Sequence, residues 1–249
     1  MIKICGVSLS QLPERRELMF LLDEPLYLAW RERHKSIRDE KAARASLAGI
    51  LLLQMQGYRD NLLYDRNGRP YFEYIDVDFN ITHTEQAVFC AIETREADEC
   101  TVLTGLEGTL PFPSLEAPEG DRKRLFEGQL RVGLDSEDIQ RISSVRICPM
   151  ADRWFSENEY DFFLKAPTDM TFLRIWTRKE ALIKWTGEGL RSLRLADTVL
   201  APSVYGVRFY EYAVGSTLLT LCCHSDATPP STVHMFSNSE LFDFGVSLT

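Results

Sequence analysis

The feature that most constrains this chain is a predicted helix over residues 170–186, which carries ionised side chains among apolar ones. Thr168 or Asp169 can cap its N-terminus, and Gly187 is of the residue type that commonly ends helices. Apolar residues recur along the helix and leave little of its surface fully polar: Leu173, Trp176, Ala181, Leu182 and Ile183. A helix with this pattern packs against the rest of the chain and brings some of its charges inward.

Three residues of this helix, Trp176, Glu180 and Lys184, follow one another at intervals of four. They therefore share one face, on which a carboxylate and an ammonium group lie beside a large aromatic ring. One interpretation is an exposed surface pair, which stabilises a helix by only about 0.2–0.5 kcal/mol. The other interpretation is a functional face, and the rest of the sequence has to decide between them.

The composition is that of an ordinary globular protein. Its 249 residues suffice for one large domain or for two small ones that share an interface. The net charge of -9 argues against general binding of nucleic acid or of an anionic membrane surface. No apolar stretch approaches the roughly 18 residues of a membrane span, and the N-terminal residues lack an export pattern. We therefore expect a cytoplasmic protein whose cysteines are reduced thiols.

Secondary structure is clearest in the first third of the chain. Residues 2–9 predict a short strand, and residues 31–56 predict one long helix with a single buried stripe. Residues 18–28 suggest a helix or a pair of turns. Asn67-Gly68 is a turn signal, and the wholly apolar run 87–92 predicts a strand that is covered on both faces.

The pattern is lost between residues 94 and 130, which are rich in Gly and Pro. This segment is either a functional surface loop or a passive insertion. We therefore divide the chain into an N-terminal half over 1–105, an insertion or connection over 106–130, and a C-terminal half over 131–249.

The second half repeats the theme of strand followed by helix. Residues 131–135 predict a strand, and helical patterns follow around 150–165 and in the helix described above. Residues 205–214 and 218–223 then predict two paired strands on either side of Gly215-Ser216.

Five short motifs stand in a characteristic order along the chain. They are Asn67-Gly68-Arg69-Pro70-Tyr71-Phe72, Asn80-Ile81-Thr82-His83-Thr84, Gly133-Leu134-Asp135-Ser136-Glu137, Phe155-Ser156-x-x-Glu159 and Trp176-Thr-Arg-Lys-Glu-Ala-x-x-Lys184. Each motif alone is weak, and their order makes the combination specific. Together they resemble the 4′-phosphopantetheinyl transferases, in particular the larger surfactin-synthetase-activating (Sfp) type. The resemblance covers nearly the whole chain outside 94–130.

This resemblance implies an α+β fold, the 4′-phosphopantetheinyl transferase fold, in which two similar α/β halves with pseudo-twofold symmetry enclose the active site in the cleft between them. It implies a monomer, because one chain supplies both halves. The implied reaction transfers the 4′-phosphopantetheine moiety of coenzyme A to a serine of an apo acyl or peptidyl carrier protein and releases adenosine 3′,5′-bisphosphate. The alternative is a non-catalytic protein of the same fold that binds coenzyme A or a carrier protein.

The implied chemistry calls for Mg²⁺, because a serine oxygen has to attack a phosphorus atom already flanked by negative oxygens. The resemblance identifies Asp135, Glu137 and Glu180 as the metal ligands. Asp135 and Glu137 stand two apart at a strand end and can point the same way, while Glu180 comes from the facing helix. Lys184, one helical turn further on, would then reach the phosphate oxygens. In isolation, the two strand-end carboxylates would be ordinary solvated groups.

The general base is open between Glu159 and Glu180. Glu159 matches a position of the family, but Ser156-x-x-Glu159 is also the pattern of a capping box, in which the glutamate accepts a backbone N–H. The catalytic residues expected from the resemblance are thus Glu180, Lys184 and Glu159.

The resemblance places Arg33, Ser46 and Arg69 at the 3′-phosphate and adenine end of coenzyme A, and arginine forks suit a phosphate. Trp30 departs from the family pattern, because a lysine is typical there. The neighbouring Arg31 is the candidate replacement.

The resemblance also assigns Thr82, His83 and Lys179 to contacts with coenzyme A. For His83 a half-buried structural role is the alternative. Ser136 is a second departure, since an aliphatic residue is usual between the two carboxylates. The third departure is the length of the 94–130 segment.

Overall fold

The computed structural model describes residues 1–22, 27–95, 128–140, 144–189, 192–201, 205–237 and 239–241. The predicted connection over 106–130 lies outside these ranges except for its last three residues. The described strands are β1 (Ile2–Ser8), β2 (Leu62–Tyr64), β3 (Pro70–Phe72), β4 (Val77–His83), β5 (Ala87–Thr94), β6 (Val132–Asp138), β7 (Val207–Val214), β8 (Thr217–His224) and β9 (His234–Phe236). The described α-helices are α1 (Arg15–Phe20), α2 (Leu28–His34), α3 (Glu40–Met55), α4 (Ser144–Trp154), α5 (Glu157–Lys165) and α6 (Asp169–Thr186). This arrangement confirms the predicted α+β class.

The larger sheet has the strand order β4-β5-β1-β9. β5 pairs antiparallel with both β4 and β1, and nearly all of it is buried, as its apolar sequence predicts. β9 runs parallel to β1, so the chain returns from its second half to complete the sheet of its first half. The leucines of α3 cover one face of this sheet and share an apolar cluster with Phe79, Val88 and Ile92.

The second sheet has the order β6-β8-β7, and both of its pairs are antiparallel. The pairing of β7 with β8 confirms the predicted pair of strands. One face of this sheet packs on the larger sheet, where Leu134 and Leu221 meet Ile4 and Phe89. The other face carries α6, which contacts β6 and β8.

Helix α6 has the caps that the sequence predicts. The hydroxyl of Thr168 accepts a backbone N–H of the first turn at 3.1 Å, and Gly187 ends the helix with a φ of 74°. The helix lies close to β6, because a Cβ added to Gly133 would stand 2.0 Å from the carbonyl oxygen of Ala181. A glycine at position 133 is therefore required for this contact.

The two sheets meet at β4 and β6 through side chains. Asp78 accepts the backbone N–H of Val132 at 2.6 Å, and Asn80 accepts that of Leu134 at 3.1 Å. Thr82 follows on the same face of β4, since side chains alternate along a strand. These polar side chains satisfy the free edge of β6 and set its register against β4.

The single long helix predicted over 31–56 is wrong. The structure has α2, which ends at His34, and α3, which begins at Glu40. Asp39 separates them because its carboxylate accepts the backbone N–H of Ala42 at 2.8 Å and so begins a new helix. None of the helices in the described ranges has the length and apolar character that a bilayer crossing requires.

Candidate active site

A cleft of about 840 Å³ opens between β4, β6 and α6. Its lining also includes Leu9 and Lys41, which lies in the first turn of α3. Six of the residues that the sequence assigns to chemistry line it: Thr82, His83, Asp135, Glu137, Glu180 and Lys184. Elements from both halves of the chain thus build one site.

Asp135 is a buried carboxylate of this cleft, and it holds Lys184. The Nζ of Lys184 donates to Oδ1 of Asp135 at 2.7 Å and to the carbonyl oxygen of Leu134 at 3.0 Å. The other oxygen, Oδ2, is buried and has no hydrogen-bond partner among the described residues. Burial raises the pKa of Asp135, and the Lys184 cation opposes that rise. A buried carboxylate oxygen without a donor fits a cation ligand.

Glu180 and Glu137 complete the group of carboxylates. Burial raises the pKa of Glu180 to about 7, with the Asp135 charge adding to the rise, Lys184 opposing it and Glu137 adding a smaller part. The indole N–H of Trp176 donates to Oε1 of Glu137 at 3.2 Å. The face of α6 that carries these residues is therefore directed at β6, and the interpretation as an exposed surface pair is wrong.

The carboxylates suit a hard divalent cation chemically, but they do not form a preassembled metal site. Within the described part of the chain, no three His, Cys, Asp or Glu side chains are grouped closely enough to hold an ion. A bound Mg²⁺ would give the unpartnered oxygen of Asp135 a ligand, and its positive charge would lower the raised pKa of Glu180. Asp135, Glu137 and Glu180 are the residues that would hold it, and their role as metal ligands stays a prediction.

Strand β4 brings Thr82 and His83 to the same cleft. The hydroxyl of Thr82 lies 3.0 Å from that of Ser136 and 3.4 Å from the Nζ of Lys184. The serine that replaces the usual aliphatic residue thus joins the two sheets by a hydrogen bond. Partial burial lowers the pKa of His83, the Lys184 cation lowers it further, and Asp135 opposes both. A neutral imidazole at pH 7 offers one donor and one acceptor to a ligand.

Glu159 and Lys179 form an ion pair away from the described lining of the cleft. Both side chains are fully buried, with 2.6 Å between Nζ and Oε2. Glu159 also accepts the backbone N–H of Ser156 at 2.8 Å, and the N–H and hydroxyl of Thr198 at 2.7 Å each. The capping box is therefore present, and its carboxylate is occupied by donors. The structure does not bring either residue to the substrate side, so a role as base or as coenzyme A contact has no support in their placement.

Arg33 and Ser46, expected at the 3′-phosphate, are not part of the described lining of the cleft. The guanidinium of Arg33 lies over the ring of Tyr64, 4.1 Å from its centroid. The hydroxyl of Ser46 accepts the indole N–H of Trp30 at 3.0 Å. Trp30, at the position where a lysine is typical, is buried and serves packing. The 3′-phosphate assignment stays a prediction.

Arg69 lies between the halves and is largely buried, with 9% of its side chain exposed. Its guanidinium donates to the Asp78 carboxylate and to the carbonyl oxygens of Val132 and Lys184. These partners belong to β4, β6 and α6, which are the elements that build the cleft.

Asp78 and Arg131 lie at the junction of the elements that build the cleft, yet neither belongs to a motif in the sequence. Asp78, Asn80 and Thr82 alternate along β4, and this polar face on a partly buried strand was a usable signal for a polar junction. Nothing local to Arg131 indicates that its guanidinium donates to the carbonyl oxygens of Trp185 and Thr186 at the end of α6.

Comparison with known proteins agrees with this geometry. Residues 131–220 match the family model of the 4′-phosphopantetheinyl transferase superfamily. The chain is 27% identical over 169 residues to 4′-phosphopantetheinyl transferase gsp of Aneurinibacillus migulanus, which covers 66% of this chain and 53% of that protein. It is 32% identical over 148 residues to 4′-phosphopantetheinyl transferase HetI of a Nostoc species, covering 56% and 47%. A shorter match of 62 residues, at 39% identity, covers 24% of this chain and 25% of 4′-phosphopantetheinyl transferase psf-1 of Bacillus pumilus.

The chain spans about half the length, or less, of the curated relatives that it matches. The segment that matches the family model runs from the start of β6 into β8 and includes the whole of α6. It therefore contains Asp135, Glu137, Glu180 and Lys184, the four residues at the centre of the cleft. The chain is thus similar to 4′-phosphopantetheinyl transferases over this segment and over the parts of the named relatives that it matches.

Proposed function

We propose that this protein transfers the 4′-phosphopantetheine arm of coenzyme A to a serine of an acyl or peptidyl carrier protein and releases adenosine 3′,5′-bisphosphate. The observation that supports this most is that three carboxylates share one cleft with a lysine, namely Asp135, Glu137, Glu180 and Lys184. Relatives named as transferases support catalysis over mere binding.

In the proposed reaction the serine oxygen forms a bond to the phosphorus that carries the pantetheine arm. The bond from this phosphorus to the bridging oxygen breaks, and its electron pair leaves with adenosine 3′,5′-bisphosphate. Lys184 is suited to stabilise the negative oxygens, because Asp135 holds its Nζ within the cleft at 2.7 Å. Thr82 and His83 supply further polar groups in the lining of the cleft.

Mg²⁺, held by Asp135, Glu137 and Glu180, would neutralise negative charge on the pyrophosphate. The serine proton has to pass to a base. Glu180 lines the cleft, whereas the Glu159 carboxylate lies outside the described lining and already accepts hydrogen bonds from Thr198 and Lys179. This difference supports Glu180 as the proton acceptor.

Two further parts of the proposal rest on the resemblance. Arg33 and Ser46 contact the nucleotide end of coenzyme A, and the protein acts as a cytoplasmic monomer. Dephospho-coenzyme A should then bind much more weakly, because the guanidinium of Arg33 would lose its partner. Equal affinity for the two compounds, measured by calorimetry, would refute the nucleotide assignment, and light scattering after size exclusion tests the monomer.

The proposed reaction is tested by mass spectrometry of several apo-carrier proteins after incubation with this protein, coenzyme A and Mg²⁺. We expect the added mass of phosphopantetheine, and its absence with the variant Lys184→Ala. If no carrier gains this mass while coenzyme A still raises the melting temperature, the protein is a non-catalytic binder. If neither effect occurs, the proposal fails completely.

A further inference from the structure

The backbone carbonyl groups at the C-terminal end of α6 need hydrogen-bond donors from outside the helix. The last carbonyl groups of any helix have no N–H partner within the helix itself. Gly187 donates its N–H to the carbonyl oxygen of Ile183 at 2.8 Å, which leaves the carbonyl groups of Lys184, Trp185 and Thr186. These carbonyls lie at the negative end of the helix dipole, so cationic donors stabilise them.

Two arginines supply these donors. Arg131 donates to the carbonyl oxygens of Trp185 and Thr186. Arg69 donates to the carbonyl oxygen of Lys184. Arg69 comes from the turn before β3, in the first half of the chain, so the end of a helix in the second half depends on the first half.

The guanidinium of Arg69 is itself held in place. It pairs with Asp78 on β4, and it donates to the carbonyl oxygen of Val132 at 2.9 Å. Asp78 in turn accepts the N–H of Val132 at 2.6 Å. The pair therefore binds both backbone polar groups of the first residue of β6. Only 9% of the Arg69 side chain and 14% of the Asp78 side chain are exposed.

Lys184 is thus fixed at both of its ends. Its carbonyl oxygen accepts from Arg69, and its Nζ donates to Asp135 and to the carbonyl oxygen of Leu134. A shift of α6 along β6 would move the ammonium group relative to the cleft. We propose that Arg69, together with Asp78, is a positioning residue that sets Lys184 in the cleft and is not a phosphate contact.

This inference rests on the proposed function and departs from the role that the resemblance gives Arg69. A phosphate at Arg69 would have to compete with Asp78, whose carboxylate would then be left buried and unpaired, which is costly. Arg69 also lies outside the described lining of the cleft. Both points favour a role that acts through Lys184.

The test uses Arg69→Lys and Asp78→Asn, with steady-state kinetics for coenzyme A and for dephospho-coenzyme A. A lysine cannot span three acceptors in the geometry of a guanidinium fork. We expect kcat to fall by about tenfold to a hundredfold in both variants, because small misplacements of a reacting group cost this much. We expect the KM for coenzyme A to stay within about twofold, and the preference for coenzyme A over dephospho-coenzyme A to be unchanged.

The matched controls are Arg95→Lys and Asp76→Asn, which change an exposed pair of the same type with 2.7 Å between Nε and Oδ2. These controls should leave kcat unchanged. A raised KM and a lost preference for coenzyme A in Arg69→Lys alone would overturn the proposal, since that result identifies a 3′-phosphate contact. Loss of folding in both Arg69→Lys and Asp78→Asn would also overturn it, because the pair would then serve stability only.

A measurement without substrate separates this inference from the proposed function. Hydrogen–deuterium exchange of the last turn of α6 should be faster in Arg69→Lys than in Arg95→Lys. If the wild-type protein modifies no carrier, the proposed function fails, while the exchange result still shows whether Arg69 fixes the end of α6. Unchanged exchange in Arg69→Lys would overturn the positioning role.

Discussion

The close packing of α6 on β6 makes Gly133→Ala the sharpest test of how the fold builds the site. The added Cβ would stand 2.0 Å from the carbonyl oxygen of Ala181 and 2.7 Å from the backbone nitrogen of Trp185. Ordinary contacts begin at 3.4 Å, so the helix would have to move by roughly 1.4 Å. Neither contact can be relieved by a side-chain rotation, because both neighbours are backbone atoms.

The cost follows from this geometry. Overpacking of a core costs about 1–3 kcal/mol, and the rigid neighbours of Gly133 place this case at the upper end. Replacing glycine by alanine also lowers the conformational entropy of the unfolded chain, which offsets roughly 0.4–1 kcal/mol of this loss. We therefore expect a net loss of about 2–3 kcal/mol, which lowers the melting temperature by roughly 5–10 °C in a domain of this size.

The assay is urea denaturation of Gly133→Ala, with turnover measured on the folded protein. The midpoint should fall at an unchanged m value. Turnover should fall as well, because a displaced α6 moves Lys184 away from Asp135. The comparison variant is Gly49→Ala in α3, where the nearest atoms to the added Cβ belong to the side chain of Ile81, at 2.8 Å. We expect a smaller loss of stability there, because a side chain can shift more readily than backbone and alanine favours the helix. A Gly133→Ala protein that is as stable and as active as the wild-type protein would refute the reasoning.

Three further predictions concern charged groups. Glu180→Gln should weaken Mg²⁺ binding and turnover together, whereas Lys184→Ala should leave Mg²⁺ binding intact and reduce turnover. If Glu180→Gln keeps the wild-type turnover at ordinary Mg²⁺ concentration, α6 is not part of the active site. Glu159→Gln should lower the free energy of unfolding by about 3–5 kcal/mol, because it leaves the buried Lys179 ammonium unpaired. The kcat of the folded fraction should be unchanged. A stable variant that has lost turnover would instead identify Glu159 as the base. Burial raises the pKa of Glu93 from 4.5 to about 7, so protonated Glu93 contributes stability that is complete below about pH 4.5 and is lost as the pH rises through about 7. The variant Glu93→Gln should therefore melt higher than the wild type at pH 8 by a margin that shrinks towards pH 5, and a margin independent of pH would contradict this.

The local sequence determined which side chains share a face of one helix or one strand. The spacing of Trp176, Glu180 and Lys184 placed them on one face of α6, and the alternation of Asp135 and Glu137 placed both on one face of β6. Helix periodicity and strand alternation are fixed by backbone geometry, so both relations could be predicted without knowledge of the fold. The same holds for the capping box at Glu159, which the sequence pattern suggested as one of two interpretations and which the structure contains.

The tertiary structure alone decided which of these groups meet. Glu159 and Lys179 have the residue types of a catalytic pair, yet α5 and α6 bury them together away from the cleft. Arg69 has the residue type of a phosphate contact, yet the topology brings it to the end of α6, more than a hundred positions along the chain. Spacing in the sequence specifies the direction of a side chain relative to its own element. Its partner depends on how distant elements pack, and in this chain that packing places the Arg69 guanidinium against β4, β6 and the end of α6.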